Sequence, residues 1–213
     1  MFGTSGNTRR LLGLGAMGLL LLGRPVIAED VSEAQILKAL SAPAPQRTRS
    51  LSVGAQAPAT PPADAAFVDS LRNKPTRSLS MGERQKLDVV AAEKPQIDLA
   101  MEFDVNSDAL RGEALVTANK LGKALSNSAM QGQTFVIAGH TDAKGSDSAN
   151  QSLSERRAES VRRFLVNTYQ IPESNLISVG YGKAHLKNQA DPLARENRRV
   201  QAVNLLQVKT AGR

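Results

Sequence analysis

The chain has 213 residues, no cysteine, no tryptophan and a formal net charge of +7. The missing cysteines exclude a disulfide framework, a thiolate metal site, a cysteine nucleophile and a lipid-modified cysteine. Aromatic residues make up only 3% of the chain, and no basic run is interleaved with them, so nucleic acid is not expected as a partner. The modest excess of positive charge favours an anionic polymer instead.

The first 28 residues have the order of a secretory signal peptide, and the small residue Ala28 predicts cleavage after it. A basic pair at 9–10 precedes an apolar run over 11–23. That run is shorter than the roughly 20 residues of a membrane-spanning helix, so the mature chain is expected to have no transmembrane span, with an uncleaved anchor as the alternative. The arginine pair also resembles part of a twin-arginine signal, which leaves the export route open.

Residues 29–95 form an N-terminal extension whose pattern indicates no function. Apolar spacing over 31–40 predicts a short helix. Residues 41–64 contain five prolines among alanine, serine and glutamine, a composition typical of a flexible linker. Further on, Ser80 and Glu83 have the spacing of a capping box. They predict a helix that begins at the next residue and ends near residue 92.

Residues 96–208 are predicted to fold as one α+β domain, followed by a short tail at 209–213. The apolar periods predict the order β-α-β-α-β-β, with the helices packed on a mixed sheet. The predicted strands are 97–103, 135–138, 175–180 and 200–208, and the predicted helices are 107–127 and 152–169.

The second of these helices carries an arginine at a core position. Arg157 lies four residues after Leu153 and four before Val161, in the middle of the apolar stripe. A guanidinium there must reach solvent, pair with a carboxylate or meet a ligand. Ser152 and Glu155 match a helix-start motif, which places the arginine near the positive end of the helix dipole.

Asp142 follows the second strand and precedes Arg157 by fifteen residues. The intervening loop can bring the two side chains together. A carboxylate beside a guanidinium suits a zwitterion, such as a free amino-acid end, whose ammonium the aspartate binds and whose carboxylate the arginine binds. The alternative is an internal Asp142–Arg157 salt bridge that only holds the loop.

Four stretches of this half resemble the OmpA-like C-terminal domain, which is shared with Pal-type lipoproteins and MotB-type stator proteins. They are GHTD at 139–142 with its continuation through Asn150, Leu153-Ser154, Arg157-Ala158 and Val161; FD-x-x-S-x-x-L at 103–110; VGYG at 179–182; and NRRV at 197–200.

The resemblance implies binding to peptidoglycan through the diaminopimelate of stem peptides, with Asp142 and Arg157 as the key pair. It also implies a protein of the periplasm, held at the wall or the outer membrane. From its residues, the chain is expected to need no cofactor and no metal. The other positions it implies for the pocket are Asn150, Thr141, Leu153 and Arg198. The sequence departs from the family at Leu193 and Ala194, where many relatives have glycine and arginine, and its nearby Arg195 is shifted by one position.

Other functions have weaker support. A cell-wall hydrolase could use His140 and Asp142 with a nearby serine, but no G-x-S-x-G turn is present. A zinc site would rest on His140 and His185 alone. A stator-like channel needs a membrane helix with an intramembrane acid. A periplasmic adaptor, whose residues 29–95 bind an envelope protein, is compatible with wall binding and remains an alternative.

Overall fold

The computed structural model describes residues 31–41 and 62–206. The signal peptide and the tail predicted from the sequence lie outside these residues, as does nearly all of the linker. The elements are α1 (Glu33–Ser41), α2 (Pro62–Leu71), α3 (Met81–Ala91), β1 (Gln96–Ala100), α4 (Gly112–Leu125), β2 (Thr134–Gly139), α5 (Asp147–Tyr169), β3 (Leu176–Gly180) and β4 (Arg199–Leu206). Across the described ranges, no helix combines the length and the apolar character needed to cross a membrane.

The four strands form one mixed sheet in the order β1-β4-β2-β3. Strands β2 and β3 are parallel, because α5 connects them as a crossover. Strand β4 lies between β1 and β2 and is antiparallel to both. The predicted α+β class and the β-α-β-α-β-β order of the C-terminal half are confirmed.

One face of the sheet packs against α1, α4 and α5. Side chains alternate across a strand, so Phe135 and Ile137 of β2 point into this core, where they meet Leu121 of α4 and Leu165 of α5. The predicted helix near residues 31–40 is present as α1, and its buried Ile36 belongs to the same cluster.

The opposite face is covered by α2 and α3, so the described part of the protein has helices on both sides of the sheet. Val136 and Ala138 of β2 pack here with Val68, Leu71 and Leu87 from the upstream helices. The capping box predicted at the start of α3 is confirmed by its two reciprocal hydrogen bonds. A segment whose sequence indicates no role therefore completes the second half of the core.

Polar contacts also fasten α2 and α3 to the sheet and to α5. Arg72 donates hydrogen bonds to Thr134 Oγ1 at 2.8 Å and to the Ser174 carbonyl at 3.1 Å. Arg84 forms a 2.8 Å ion pair with Glu155, which is on α5. These contacts join elements far apart in sequence and fix the upstream helices on this face.

Two predicted helix starts are wrong. Helix α5 begins at Asp147, and its N-cap is Ser146, whose hydroxyl accepts the Ala149 N–H. Ser152 is inside the helix and caps nothing. Helix α4 begins at Gly112 rather than near residue 107, because its glycine adopts a left-handed backbone (φ 49°) that ends the preceding loop.

Candidate functional site

The candidate site lies where α5 crosses the carboxyl ends of β2 and β3. Two glycines allow this approach, since a Cβ on Gly139 would lie 2.3 Å from the Ser154 carbonyl oxygen and one on Gly180 would lie 2.5 Å from the Glu155 nitrogen. No larger residue fits at either strand end without moving the helix. The loop after β2 therefore emerges directly beside the first turns of α5.

Asp142 is held in this loop by two hydrogen bonds. Its Oδ1 accepts the Lys144 N–H at 3.1 Å, and its Oδ2 accepts an Arg198 N–H at 2.9 Å. The side chain of Asp142 is 16% exposed and that of Arg198 is 38% exposed. These two hydrogen bonds fix the orientation of the carboxylate, which remains partly accessible to solvent.

Arg157 is a buried cation, with only 6% of its surface exposed. Its Nε donates to the Ser107 carbonyl at 3.0 Å, its Nη2 donates to the Asp104 carbonyl at 3.3 Å, and its guanidinium lies 4.8 Å from the centre of the Phe103 ring. Among the described residues, no carboxylate forms an ion pair with it.

The electrostatic surroundings of Arg157 are unfavourable to its charge. Burial lowers its pKa to about 10, the positive charge of Arg198 contributes in the same direction, and Asp142 opposes the shift. Even so the guanidinium stays charged at neutral pH. A partly desolvated cation of this kind is stabilised by any anion that reaches it.

The internal Asp142–Arg157 salt bridge considered from the sequence is not formed. Asp142 pairs with Arg198, and Arg157 is tied to the loop before α4. The expected placement in the first turns of α5 is wrong, because the helix starts at Asp147 and Arg157 follows almost three turns later. The three charges nevertheless lie close enough for Asp142 and Arg198 both to affect the Arg157 pKa.

The remaining predicted residues have different positions. Thr141 is buried, and its Oγ1 has no hydrogen-bond partner among the described residues. Asn150 is also buried, and its Nδ2 donates to the Lys144 carbonyl at 2.9 Å, so it holds the loop that carries Asp142. Leu153 is half-buried on α5, one turn before Arg157.

Sequence reasoning missed the loop that binds Arg157. The spacing of apolar residues predicted a helix from residue 107, whereas Ser107 is in a loop and uses its carbonyl to hold the guanidinium. The signal that could have found it is the FD-x-x-S-x-x-L stretch, which contains Phe103, Asp104 and Ser107 together. Three of its residues contact the same side chain.

The loop before β4 contains the positions at which the sequence departs from the family. Arg195 pairs with Glu102 and with Glu113, the latter at 3.5 Å. Leu193 is 59% exposed. Arg195 therefore links the loop before β4 to the start of α4, and it makes no ion pair with Asp142.

His140 precedes the site residues and is buried in an aromatic cluster. Its ring lies 5.6 Å from that of Tyr181 and 6.4 Å from that of His185. Burial lowers its pKa to about 3, with the positive charge of Arg199 as the next cause. Neither ring nitrogen has a hydrogen-bond partner among the described residues, so His140 is neutral and is not paired with a serine there.

The topology of the sheet, the crossover helix α5 and the loop that carries Asp142 define a domain of the OmpA-like class. Residues 102–199 match the model of the OmpA family. This part of the chain is therefore an OmpA-family domain, as the sequence motifs predicted. In the described ranges no group of three or more His, Cys, Asp or Glu side chains could hold a metal ion.

Curated proteins and solved structures also resemble the chain. It is 34% identical over 115 residues to outer membrane porin F of Pseudomonas aeruginosa, covering 52% of this chain and 32% of that protein. It is 38% identical over 82 residues to outer membrane protein A of Serratia marcescens, covering 38% of this chain and 23% of that protein. The chain thus spans a third or less of these relatives.

The similar structures include two with low sequence identity. One is the peptidoglycan-associated lipoprotein from Burkholderia pseudomallei, with 21% identity, a TM-score of 0.41 and coverage of 55% of this chain and 93% of that one. The other is the cell wall anchor of the T6SS from Pseudomonas aeruginosa, with 18% identity, a TM-score of 0.42 and coverage of 60% and 98%.

Proposed function

We propose that this protein binds peptidoglycan non-covalently in the periplasm, through the free end of diaminopimelate in the stem peptides. The observation that carries the proposal is Arg157, a buried guanidinium that no carboxylate of the described residues neutralises. The free end of diaminopimelate offers an ammonium and a carboxylate on one carbon. In this proposal Asp142 binds the ammonium and Arg157 binds the carboxylate.

The energetics support a ligand at this position. Burying a cation without a carboxylate costs free energy, and two backbone carbonyls and one aromatic ring offset only part of that cost. A ligand carboxylate would form charge-assisted hydrogen bonds in a partly desolvated place, where they are strongest. The cation is retained at a cost in the unliganded protein, as expected of a group that serves binding.

The three charged side chains around the site also suit this ligand. Arg157 and Arg198 contribute two positive charges and Asp142 one negative charge, so the site is net positive. A zwitterionic end that belongs to an acidic peptide complements it. The buried Thr141 hydroxyl, which has no partner among the described residues, supplies one further donor or acceptor beside the loop.

The relatives support an envelope location. Outer membrane porin F and outer membrane protein A are outer-membrane proteins by name, and their similarity to this chain is consistent with export by the predicted signal peptide. In this proposal the protein is a wall-bound protein of the periplasm, without catalytic activity. It would hold itself, and any protein attached to it, against the wall or near the outer membrane.

The adaptor alternative has less support. It assumed that Asp142 and Arg157 form a structural ion pair, which is absent from the described residues. It also assigned partner binding to residues 29–95, yet α2 and α3 in that range use Val68, Leu71 and Leu87 to cover the sheet. A protein partner of the remaining surface is an addition to wall binding in this proposal.

Sedimentation with purified sacculi tests the proposal, with free meso-diaminopimelate as competitor. The protein expressed from the full chain should sediment, and both Asp142→Asn and Arg157→Met should weaken binding more than tenfold, as expected for the loss of about 1.5–3 kcal/mol from a charge-assisted contact. Two matched controls, Asp147→Asn and Arg156→Met, change neighbouring charges and should bind as the wild type does.

The controls are chosen from the structure. Asp147 has a 90% exposed side chain that pairs with Lys183, and Arg156 donates to the Ser152 hydroxyl on the same helix. Circular dichroism spectra must show that all variants are folded. Failure of the wild type to sediment, or equal binding by the folded Asp142→Asn and Arg157→Met variants, would contradict the proposal.

A further inference from the structure

A groove of about 400 Å³ runs along α5 beside the candidate site, and the proposed function does not use it. One wall is the loop before α4, through Asp108 and Leu110. The other is α5 itself, through Arg163 and Phe164.

The groove lies beside the loop that binds Arg157. Ser107 accepts the Arg157 Nε–H through its carbonyl, and the next residue, Asp108, lines the groove. Ser160 and Phe164 follow Arg157 at i+3 and i+7 and therefore lie on nearly the same face of α5. From Arg157, the groove is therefore reached along this face of α5.

The chemistry of the groove suits an acidic peptide. Leu110 and Phe164 are half-buried and pack against the core, so they form an apolar floor. Arg163 is exposed and donates to the Ser160 hydroxyl at 3.3 Å, but it forms no ion pair with any described residue. Asp108, whose Oδ2 accepts the Ser160 O–H at 3.1 Å, can accept a peptide N–H.

Arg163 and Arg162 are neighbours with different surroundings. Arg162 is engaged by two carboxylates, Glu159 and Glu173. Arg163 is the next residue of the helix, yet its guanidinium is exposed to solvent and forms no ion pair with a described carboxylate. An anion in the groove would therefore meet a cation that no described carboxylate already neutralises.

We propose that this groove is a second subsite, which binds the part of the stem peptide adjoining diaminopimelate, with Arg163 pairing with a carboxylate of that peptide. The proposal rests on the proposed function, because the diaminopimelate end at Arg157 fixes where the peptide enters. Arg163 follows Arg157 by six residues, or roughly 9 Å along the helix axis.

Two carboxylates of the stem can reach this distance, since a peptide advances at most about 3.5 Å per residue. One is the α-carboxylate of the D-glutamate that precedes diaminopimelate, which is free because the chain continues through the γ-carboxyl group. The other is the terminal carboxylate of a D-alanine that follows. Both present the same chemistry to Arg163.

Calorimetric titration with synthetic ligands tests this subsite. The ligands are free meso-diaminopimelate, the stem tripeptide, the same tripeptide with its D-glutamate α-carboxylate amidated, and the stem tetrapeptide. The wild type should bind the tripeptide, the tetrapeptide or both several-fold tighter than free diaminopimelate. Arg163→Gln should remove that gain and leave the affinity for free diaminopimelate unchanged. Arg156→Gln, on the same helix, should behave as the wild type.

The ligand set identifies which carboxylate is bound. If amidation removes the gain, the D-glutamate carboxylate pairs with Arg163; if only the tetrapeptide shows the gain, the D-alanine carboxylate does. If both ligands bind but Arg163→Gln keeps the wild-type affinity ratio, the subsite is disproved and the proposed function stands. If the wild type binds neither ligand, the proposed function fails and the subsite fails with it.

Discussion

Helix α5 carries two arginines, five residues apart, in opposite electrostatic surroundings. Arg162 donates to both carboxylate oxygens of Glu159 at 3.0 and 2.8 Å and to Glu173 at 2.8 Å, and these bonds raise its pKa above the ordinary value. Arg157 is bonded only to two backbone carbonyls, and burial lowers its pKa to about 10.

The two regions show what distinguishes a structural cation from one available to a ligand. Around Arg162 the network is closed, because Glu159 also accepts hydrogen bonds from Ser178 at 2.8 Å and from Thr76 at 3.1 Å. That network joins α5, β3 and the segment before α3. Among the described residues, Arg157 has no such network. The carboxylate of Asp142 could have paired with it, but it accepts a hydrogen bond from Arg198 instead.

The largest expected effects come from removing each cation in turn. Arg162→Met should lower the free energy of unfolding by about 2–3 kcal/mol, because it leaves the half-buried Glu159 without the cation that neutralises it. Arg157→Met should change that free energy by only about 1 kcal/mol, because lost hydrogen bonds are offset by the removal of a desolvated charge. Urea denaturation followed by circular dichroism measures both values.

Binding should respond in the reverse order. Folded Arg162→Met should sediment with sacculi as the wild type does, whereas Arg157→Met should lose more than tenfold in affinity, which corresponds to at least about 1.4 kcal/mol. A large loss of stability in Arg157→Met together with normal sacculus binding would show that both arginines are structural.

A pH-dependent loss of stability is expected from His140, which lies two residues before Asp142 and is kept neutral by burial. Its pKa is near 6.5 in a free chain and about 3 in the folded protein. The unfolded chain therefore takes up a proton that the folded protein does not. The free energy of unfolding should be fully maintained above pH 6.5 and should fall by up to about 1.4 kcal/mol per pH unit between pH 6.5 and 3.

The variant His140→Phe keeps an aromatic ring against Tyr181 and cannot titrate. The free energy of unfolding, measured by urea denaturation from pH 7 to pH 4.5, should therefore fall more steeply with decreasing pH for the wild type than for this variant. Equal slopes in the two proteins would mean that His140 is protonated as easily in the folded protein as in the unfolded chain.

The smallest effect concerns Thr141, whose buried hydroxyl has no partner among the described residues. Thr141→Val retains the shape of the side chain and should leave the unliganded protein as stable as the wild type, or more stable. If the hydroxyl binds the ligand, its loss should weaken diaminopimelate binding by a factor of about 2 to 13, from roughly 0.5–1.5 kcal/mol. Calorimetry measures the affinity, and an unchanged value would place the hydroxyl outside the site.

Much of this architecture was predictable from the sequence, because side-chain periods report local structure. The alternation in β1 and the apolar run of β2 gave the strands, and the position of Arg157 in an apolar stripe identified an unusual cation. The capping box at Ser80 was also correct, since it depends on residues three apart.

The features that were not predictable from the sequence depend on contacts between residues far apart in the chain. The residues that pair in space, such as Asp142 with Arg198, are 56 positions apart. The packing of α2 and α3 on the second sheet face was missed, because the apolar pattern of a helix does not identify the surface against which the helix packs. The start of α5 was misplaced, because Ser146 and Ser152 are both plausible caps and only the turn geometry selects the first.

The central claim is that the Arg157 guanidinium binds the carboxylate at the free end of diaminopimelate. Replacing that residue of the stem tripeptide by lysine removes this carboxylate and retains the ammonium, so calorimetry with both peptides measures its contribution directly. The wild type should bind the diaminopimelate peptide more than tenfold tighter than the lysine peptide, and Arg157→Met should bind the two equally. Tenfold discrimination retained by Arg157→Met would contradict the claim.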